Sequence, residues 1–267
     1  MLIKVCLNGS RKPGDHPALP VTPAELAADA HRAVQAGAGA CHAHPRGQDG
    51  VETLDPGACD VVALAIRKAC PGVPIGFSTA AWIEPDQTDR LELIRGWVER
   101  PDFASVNFSD PGVLELCRLL RRLGIGIEAG VWTVADAEAL SDSGYSRQLV
   151  RVLVEPQDIE PVEAEATAAA ISAALDHAGV DAPRLYHGYG MATWRVIEFA
   201  LDGGWDIRVG LEDTLHLPDA TIASGNAELV AVALEMARKI GRLHGGLATE
   251  QEAGHQQRGA DCGHDGG

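Results

Sequence analysis

Basic residues are scarce in this chain: 22 lysines and arginines stand against 38 aspartates and glutamates over 267 residues, a net charge of −16. That deficit argues against non-specific binding to nucleic acid or to an anionic membrane surface. No apolar run approaches the roughly 20 residues that a membrane-spanning helix needs. The start, Met1-Leu2-Ile3-Lys4-Val5-Cys6, lacks the charged-then-apolar pattern and small-residue cleavage site of a secretory leader, so a cytoplasmic protein is expected. No Cys-x-x-Cys occurs. The six cysteines, at 6, 41, 59, 70, 117 and 262, are scattered and are expected to be reduced, mostly buried small hydrophobes. No Gly-x-Gly-x-x-Gly follows the first apolar run and no P-loop appears, which counts against a doubly wound nucleotide-binding sheet.

What is present alternates between short apolar runs and amphipathic stretches. Strands are predicted at Leu2–Leu7, Gly39–His44, Val73–Ser78, Phe103–Asn107, Gly126–Val131, Gln148–Val154, Arg184–His187 and Asp206–Leu211. Each is followed by a helical stretch, the first opened by a capping box in which Thr22 caps, Pro23 takes the first helical position and Glu25 the third. The second helix, Pro56 to Cys70, is expected to bury Val61, Leu64, Ala65 and Ala69. The last helix runs from Asn226 to Arg242. Eight strand-then-helix units in about 245 residues is the count of a single-domain (β/α)8 TIM barrel, with a doubly wound open sheet as the alternative. Residues 1–245 are assigned to the barrel. Residues 246–267, rich in Gly, Gln and His, are expected to form a flexible tail.

Chemistry concentrates in Cys41-His42-Ala43-His44-Pro45-Arg46-Gly47. Side chains alternate along a strand, so His42 and His44 share a face while Cys41 points the other way. Two imidazoles on one face are half of a divalent metal site, although a bare His-x-His pair is equally compatible with two ordinary histidines. In a barrel the active site lies at the carboxyl ends of the strands. The residues expected there are Asn8; His42 and His44; Ser78 and Thr79; Ser105 and Asn107; Glu128; Glu155; His187; and Arg208, Glu212 and Asp213. Arg208 and Glu212 share a face of the eighth strand, so Glu212 could complete a two-histidine, one-carboxylate set suited to zinc or non-haem iron. Asp213 points differently and is free to act as a base. An inward arginine is costly unless it is paired or faces an anion, and a structural Arg208–glutamate ion pair is the plainer reading. Glu128 and Glu155 could support the ligands, read the substrate or be solvated strand ends. His187 reads more readily as a core histidine than as a ligand. His16 and Arg11 are expected on an exposed loop.

These landmarks resemble the β-keto acid cleavage enzymes. The matching stretches are Asn8-Gly9, His16-Pro17-Ala18-Leu19-Pro20-Val21-Thr22-Pro23-Ala24-Glu25, Cys41 to Arg46, Ser78-Thr79, Ser105-Val106-Asn107, Arg208-Val209-Gly210-Leu211-Glu212-Asp213, and Ala223 to Val230. The resemblance implies a barrel with Zn2+ on His42, His44 and Glu212, though the ligand set also accepts other divalent ions. It implies that a β-keto acid and acetyl-CoA become acetoacetate and a new acyl-CoA. Asp213 would be the base and Arg208 its orienting partner. Ser78, Ser105 and Asn107 would hydrogen-bond the substrate carboxylate and carbonyl, with Thr79, Glu128 and Glu155 beside the substrate. A homo-oligomer, dimer or tetramer, is the family's habit. Two alternatives stand beside this reading: a metal-dependent aldolase or hydrolase on the same barrel without CoA, and a metal-loaded barrel that binds without turnover. The chain also departs from the family's pattern. Ser10-Arg11 and Gly130 stand where the named member of the family has glutamates, and Ala80-Ala81 replaces a glycine pair. Losing two carboxylates argues against an amino-bearing substrate, and Arg11 suits an anionic or neutral one. Glu155, on the next strand, is a candidate replacement.

Overall fold

The computed structural model describes residues 1–241. Eight parallel strands close into a barrel in chain order. They are β1 (Ile3–Cys6), β2 (Ala40–Ala43), β3 (Ile75–Ser78), β4 (Phe103–Asn107), β5 (Gly126–Val131), β6 (Arg151–Val154), β7 (Arg184–Tyr186) and β8 (Asp206–Val209). β8 returns to β1 with Lys4 opposite Arg208. The helices are α1 (Pro23–Gln35), α2 (Pro56–Ala69), α3 (Gln87–Arg95), α4 (Val113–Leu123), α5 (Val134–Asp142), α6 (Pro161–His177), α7 (Thr193–Gly203) and α8 (Asn226–Lys239). This is a single-domain (β/α)8 barrel. The predicted tail, 246–267, and the predicted end of the last helix at Arg242 lie outside the described residues.

Local chemistry sets the helix starts. Thr22 accepts from the Glu25 amide while the Glu25 carboxylate accepts from the Thr22 amide, the expected capping box. The Asp55 carboxylate caps α2 by accepting from the Ala58 amide, Asp86 caps α3 by accepting from the Thr88 and Asp89 amides, and Thr133 and Asp136 form a second capping box at α5. The core lies between strands and helices. Outward residues such as Val5, Cys41, Phe77, Val106, Ile127, Val152 and Val209 are fully or almost fully buried against the helical ring.

The α2 stripe differs from expectation. Cys59, Val62, Ala63 and Ile66 are buried, whereas Val61 and Leu64 are 53% and 51% exposed. α2 carries small or apolar residues on nearly every side, so periodicity alone leaves its rotation open. Tertiary contact settles it: Asp60 Oδ1 accepts from the amides of Val98 and Glu99 in the loop before β4. That contact turns Val61 outward.

The barrel interior is polar at mid-height. Lys4 on β1 donates to Glu128 on β5 at 2.6 Å, and Arg151 on β6 donates to the other Glu128 oxygen at 2.9 Å. β1 and β5 are opposite one another in the strand order, so the Lys4–Glu128 bond crosses the lumen. Both cations also lie over the Phe103 ring, at 5.6 and 5.5 Å from its centroid. Lys4 and Glu128 are fully buried. They persist as charges there only because each neutralises the other.

Candidate metal centre

His42 is the third residue of β2, and His44 follows that strand directly. Their rings meet edge to face, with centroids 5.1 Å apart. Glu212 arrives from the loop after β8, and its Oε2 lies 3.6 Å from His44 Nε2. One ligand atom from each of His42, His44 and Glu212 falls within 4.8 Å of the others. Their close approach depends on Gly9: a Cβ there would lie 2.3 Å from Glu212 Cγ, and the residue holds a positive φ of 54° that glycine alone adopts cheaply.

The surroundings orient these groups. Asn8 grips the His44 backbone twice, its amide donating to the carbonyl and accepting from the N–H, both at 2.9 Å. Glu52 holds His44 Nδ1 at 2.5 Å, which leaves Nε2 directed at Glu212. A carboxylate behind a ligating imidazole fixes its tautomer and raises its basicity. Glu52 is the residue that sequence reasoning missed. It lies eight positions past His44 in an unremarkable loop, and only the bridge between Arg46 and Glu52 folds that loop back. Arg208 donates to Glu212 Oε1 and, through Nε and Nη2, to Asp213 at 2.8–3.3 Å. Glu212 Oε2 and His42 Nδ1 are buried without a hydrogen-bond partner. Unpaired buried acceptors are rare in folded proteins and ask for a partner.

The titration pattern matches the geometry. Burial pushes His42 well below the usual histidine range. Burial would do the same to His44, but the Glu212 and Glu52 carboxylates outweigh it and hold the ring up at about 9. Burial would raise Glu212, but Arg208 and His44 hold it well below the usual carboxylate range. Two nitrogens and one carboxylate oxygen that converge without saturating each other fit a divalent cation with open positions.

The cavity over this cluster is lined by His42, His44, Ser78, Trp82, Ser105, Asn107, Trp132, Glu155, Tyr189, Arg208 and Glu212. Other expected residues lie elsewhere. Thr79 is fully buried and donates to the Ser105 carbonyl at 2.7 Å, supporting β4. Glu128 is consumed in the ion triad with Lys4 and Arg151, a layer away from the cavity. Its carboxylate therefore supports the barrel and does not line the cavity. Asn107 lines the cavity, and its Nδ2 donates one hydrogen to Asp110 at 3.4 Å. Asp213 is not free: it is fully buried, clamped by Arg208, and 3.4 Å from His187 Nδ1.

His187, expected as a plain core residue, is fully buried and also bonds Glu155 through Nε2 at 3.0 Å. Burial and the nearby Arg208 push its pKa down, but Asp213 and Glu155 outweigh them and raise it. His16, expected to be exposed, is 4% exposed. Its Nδ1 accepts from the Ala18 amide and its Nε2 reaches the Ala223 carbonyl at 2.8 Å, pinning the loop after β1 to the loop before α8. Arg11 is partly buried, donates from Nε to the Leu211 carbonyl, and is absent from the cavity lining.

The profile of the beta-keto acid cleavage enzyme family matches residues 1–253. The chain belongs to that family. It is 27% identical over 263 residues to the 3-keto-5-aminohexanoate cleavage enzyme of Fusobacterium nucleatum, covering 95% of this chain and 96% of that protein. It is 26% identical to the 3-oxoadipate:acetyl-CoA acetyltransferase of Cupriavidus necator, covering 90% and 89% respectively. Among solved structures, apo ObcA superposes with a TM-score of 0.69 at 19% identity, over 84% of this chain and 63% of that one. The chain thus spans less than two thirds of ObcA. The 3-dehydroquinate dehydratase of Aquifex aeolicus gives 0.57 at 14% identity over 91% and 100%. These two likenesses establish the barrel fold alone.

Proposed function

We propose that this member of the β-keto acid cleavage enzyme family is a zinc-dependent acyltransferase that converts a β-keto acid and acetyl-CoA into acetoacetate and a new acyl-CoA. The observation that carries the reading is the convergence of His42, His44 and Glu212 beside the Arg208–Asp213 pair. The two relatives with printed activities support it, since both names describe keto-acid chemistry and one names acetyl-CoA.

Zinc held by His42, His44 and Glu212 would supply Lewis acidity at the substrate's keto and carboxylate oxygens. Ser78 and Ser105, in the cavity wall, offer hydroxyl donors to the same oxygens. Asp213 takes the acidic proton from the carbon between the keto and carboxylate groups. Arg208 holds Asp213 in place and balances its charge, and His187 backs it from the other side. The resulting carbanion attacks the acetyl thioester carbonyl and forms a carbon–carbon bond. CoA leaves the acetyl carbon and passes to the original keto carbon, cleavage of that carbon's bond to the carboxylate-bearing fragment releases the new thioester, and the fragment takes the proton back from Asp213 to give acetoacetate. Atoms balance without a further reactant.

Incubation with a panel of β-keto acids and acetyl-CoA, read by mass spectrometry, is expected to yield acetoacetate and new acyl-CoA together. About one zinc per chain is expected by elemental analysis, lost in the His42→Ala/His44→Ala variant. Asp213→Asn should retain metal and lose turnover. Turnover without acetyl-CoA would instead favour an aldolase or hydrolase.

A further inference from the structure

Tyr189 lines the metal cavity, and neither the ligand set nor the base involves it. It stands in the run Tyr186-His187-Gly188-Tyr189-Gly190 at the end of β7, the strand that pairs with β8. The flanking glycines set its place. A Cβ on Gly188 would lie 2.9 Å from the Ala192 carbonyl oxygen, and Gly190 holds a positive φ of 54°, a conformation that glycine adopts cheaply. The Gly190 amide donates to the Asp213 carbonyl at 2.8 Å, and the Thr193 hydroxyl donates to the Gly188 carbonyl at 3.0 Å. The turn that carries Tyr189 is therefore fastened to the proposed base. The ring also meets His187 edge to face, with centroids 5.5 Å apart. Among the described residues the Tyr189 hydroxyl has no hydrogen-bond partner. Burial pushes it well above the usual tyrosine range; Arg208 opposes the rise, and Glu155, Glu212 and Asp213 add to it. It is a neutral O–H donor that faces the cavity.

Acyl transfer needs such a donor. When the carbanion attacks the acetyl thioester, a carbon–carbon bond forms and the carbonyl π pair moves onto the thioester oxygen. The pair returns as the carbon–sulfur bond breaks and CoA leaves as thiolate. The ligand set and the Ser78 and Ser105 hydroxyls serve the keto acid's own oxygens. Glu212 and Asp213 occupy the Arg208 guanidinium. The indole N–H of Trp132, also in the lining without a partner, and the Asn107 amide come from the ends of β5 and β4, three and four strands away from β8. Asp213 marks where the carbanion forms, because a base must reach the hydrogen that it removes. Tyr189 is the lining donor fastened beside it.

We propose that Tyr189 is a catalytic residue whose hydroxyl donates a hydrogen bond to the oxyanion of the tetrahedral adduct formed at the acetyl carbon. The proposal rests on the acyltransferase reading above. Tyr189 keeps its proton throughout, so the balance of the reaction is unchanged. A donor aimed at charge that develops only in the adduct stabilises the transition state more than either bound substrate. Its loss therefore shows in kcat and leaves affinity alone.

The test uses the zinc-loaded full chain with acetoacetate as probe, since a product must fit the site whatever side chain the keto acid carries. Two readouts separate the steps. Exchange of the hydrogens between the two carbonyl groups of acetoacetate in deuterium oxide, without acetyl-CoA and above the uncatalysed rate, reads proton removal by Asp213. Passage of isotope from the labelled acetyl group of acetyl-CoA into acetoacetate reads the whole acyl transfer, because with this probe products and reactants are the same. In Tyr189→Phe label transfer is expected to fall about 100-fold, while exchange, zinc content, acetoacetate affinity by calorimetry and circular dichroism stay as in the wild type. A fall of less than about tenfold overturns the proposal and leaves the acyltransferase reading standing. Loss of exchange in step with label transfer also overturns it, by placing the hydroxyl on proton removal or on the fold. A wild type without label transfer removes the acyltransferase reading and the proposal together.

Discussion

Glu52 holds His44 Nδ1 at 2.5 Å while Glu212 waits 3.6 Å from the opposite ring nitrogen. One imidazole is thus steered by a carboxylate on each side, and only the Glu212 side belongs to the converging ligand set. Glu52 also lies 3.5 Å from the Trp82 indole nitrogen, tying the cavity rim to the same support.

Removing the Glu52 charge should therefore loosen metal without unfolding the barrel. Glu52→Gln is expected to weaken zinc affinity about 10- to 100-fold. Competition with a chromophoric chelator measures this, and an unchanged affinity would reduce Glu52 to a loop residue.

The metal-free protein should respond to pH through His44. Its folded pKa of about 9 lies above the ordinary histidine value of 6.5, so it stays protonated at neutral pH in the fold. Its stabilising contribution is complete below about pH 6.5 and is lost as pH rises through about 9. His187, also raised, acts in the same direction. In chelator, Tm should fall across that window. Zinc must displace the His44 proton, so apparent zinc affinity should climb by up to about tenfold per pH unit and level off above pH 9. A pH-independent affinity would show that His44 is already neutral.

Glu128→Gln separates structure from substrate contact. Lys4 and Arg151 would keep their charges beside an uncharged amide in the lumen, a loss expected to cost about 3–5 kcal/mol. Urea denaturation checks it. The folded fraction should keep its KM for the keto acid, and a large KM change with intact stability would return Glu128 to the substrate site.

Asn226, fully buried at the first position of α8, links three elements. Its oxygen accepts from the Leu211 amide at 2.7 Å, and its amide donates to the Leu7 carbonyl at 2.8 Å and to Asp29 at 2.5 Å. Asn226→Ala is expected to cost about 2–4 kcal/mol through the polar groups it leaves unpaired. It should also lower zinc affinity, because Leu211 precedes Glu212. Calorimetric unfolding with a parallel zinc titration measures both.

The His42–His44 pair and the barrel were legible in the sequence because both are written in short-range terms. Strand alternation puts His42 and His44 on one face, and eight apolar runs each followed by a helix pattern leave few topologies. The Thr22–Glu25 capping box is equally local. Glu212 was expected on the face of the eighth strand that Arg208 shares, whereas β8 ends at Val209 and Glu212 reaches His44 from the loop beyond it.

Packing across the chain decided the rest. The rotation of α2 hung on Asp60 meeting the loop before β4, which no window within α2 contains. His187 took its place between Glu155 and Asp213 only because β6, β7 and β8 stand side by side. Glu128 left the site because a lysine on the opposite strand crosses the lumen to meet it. Gly130 is held to a bare backbone only because Glu155 and Asn107 converge over it. Local pattern determines which elements form and which strand residues share a face. Which charges meet depends on distances between residues far apart in the chain, and only barrel closure sets those.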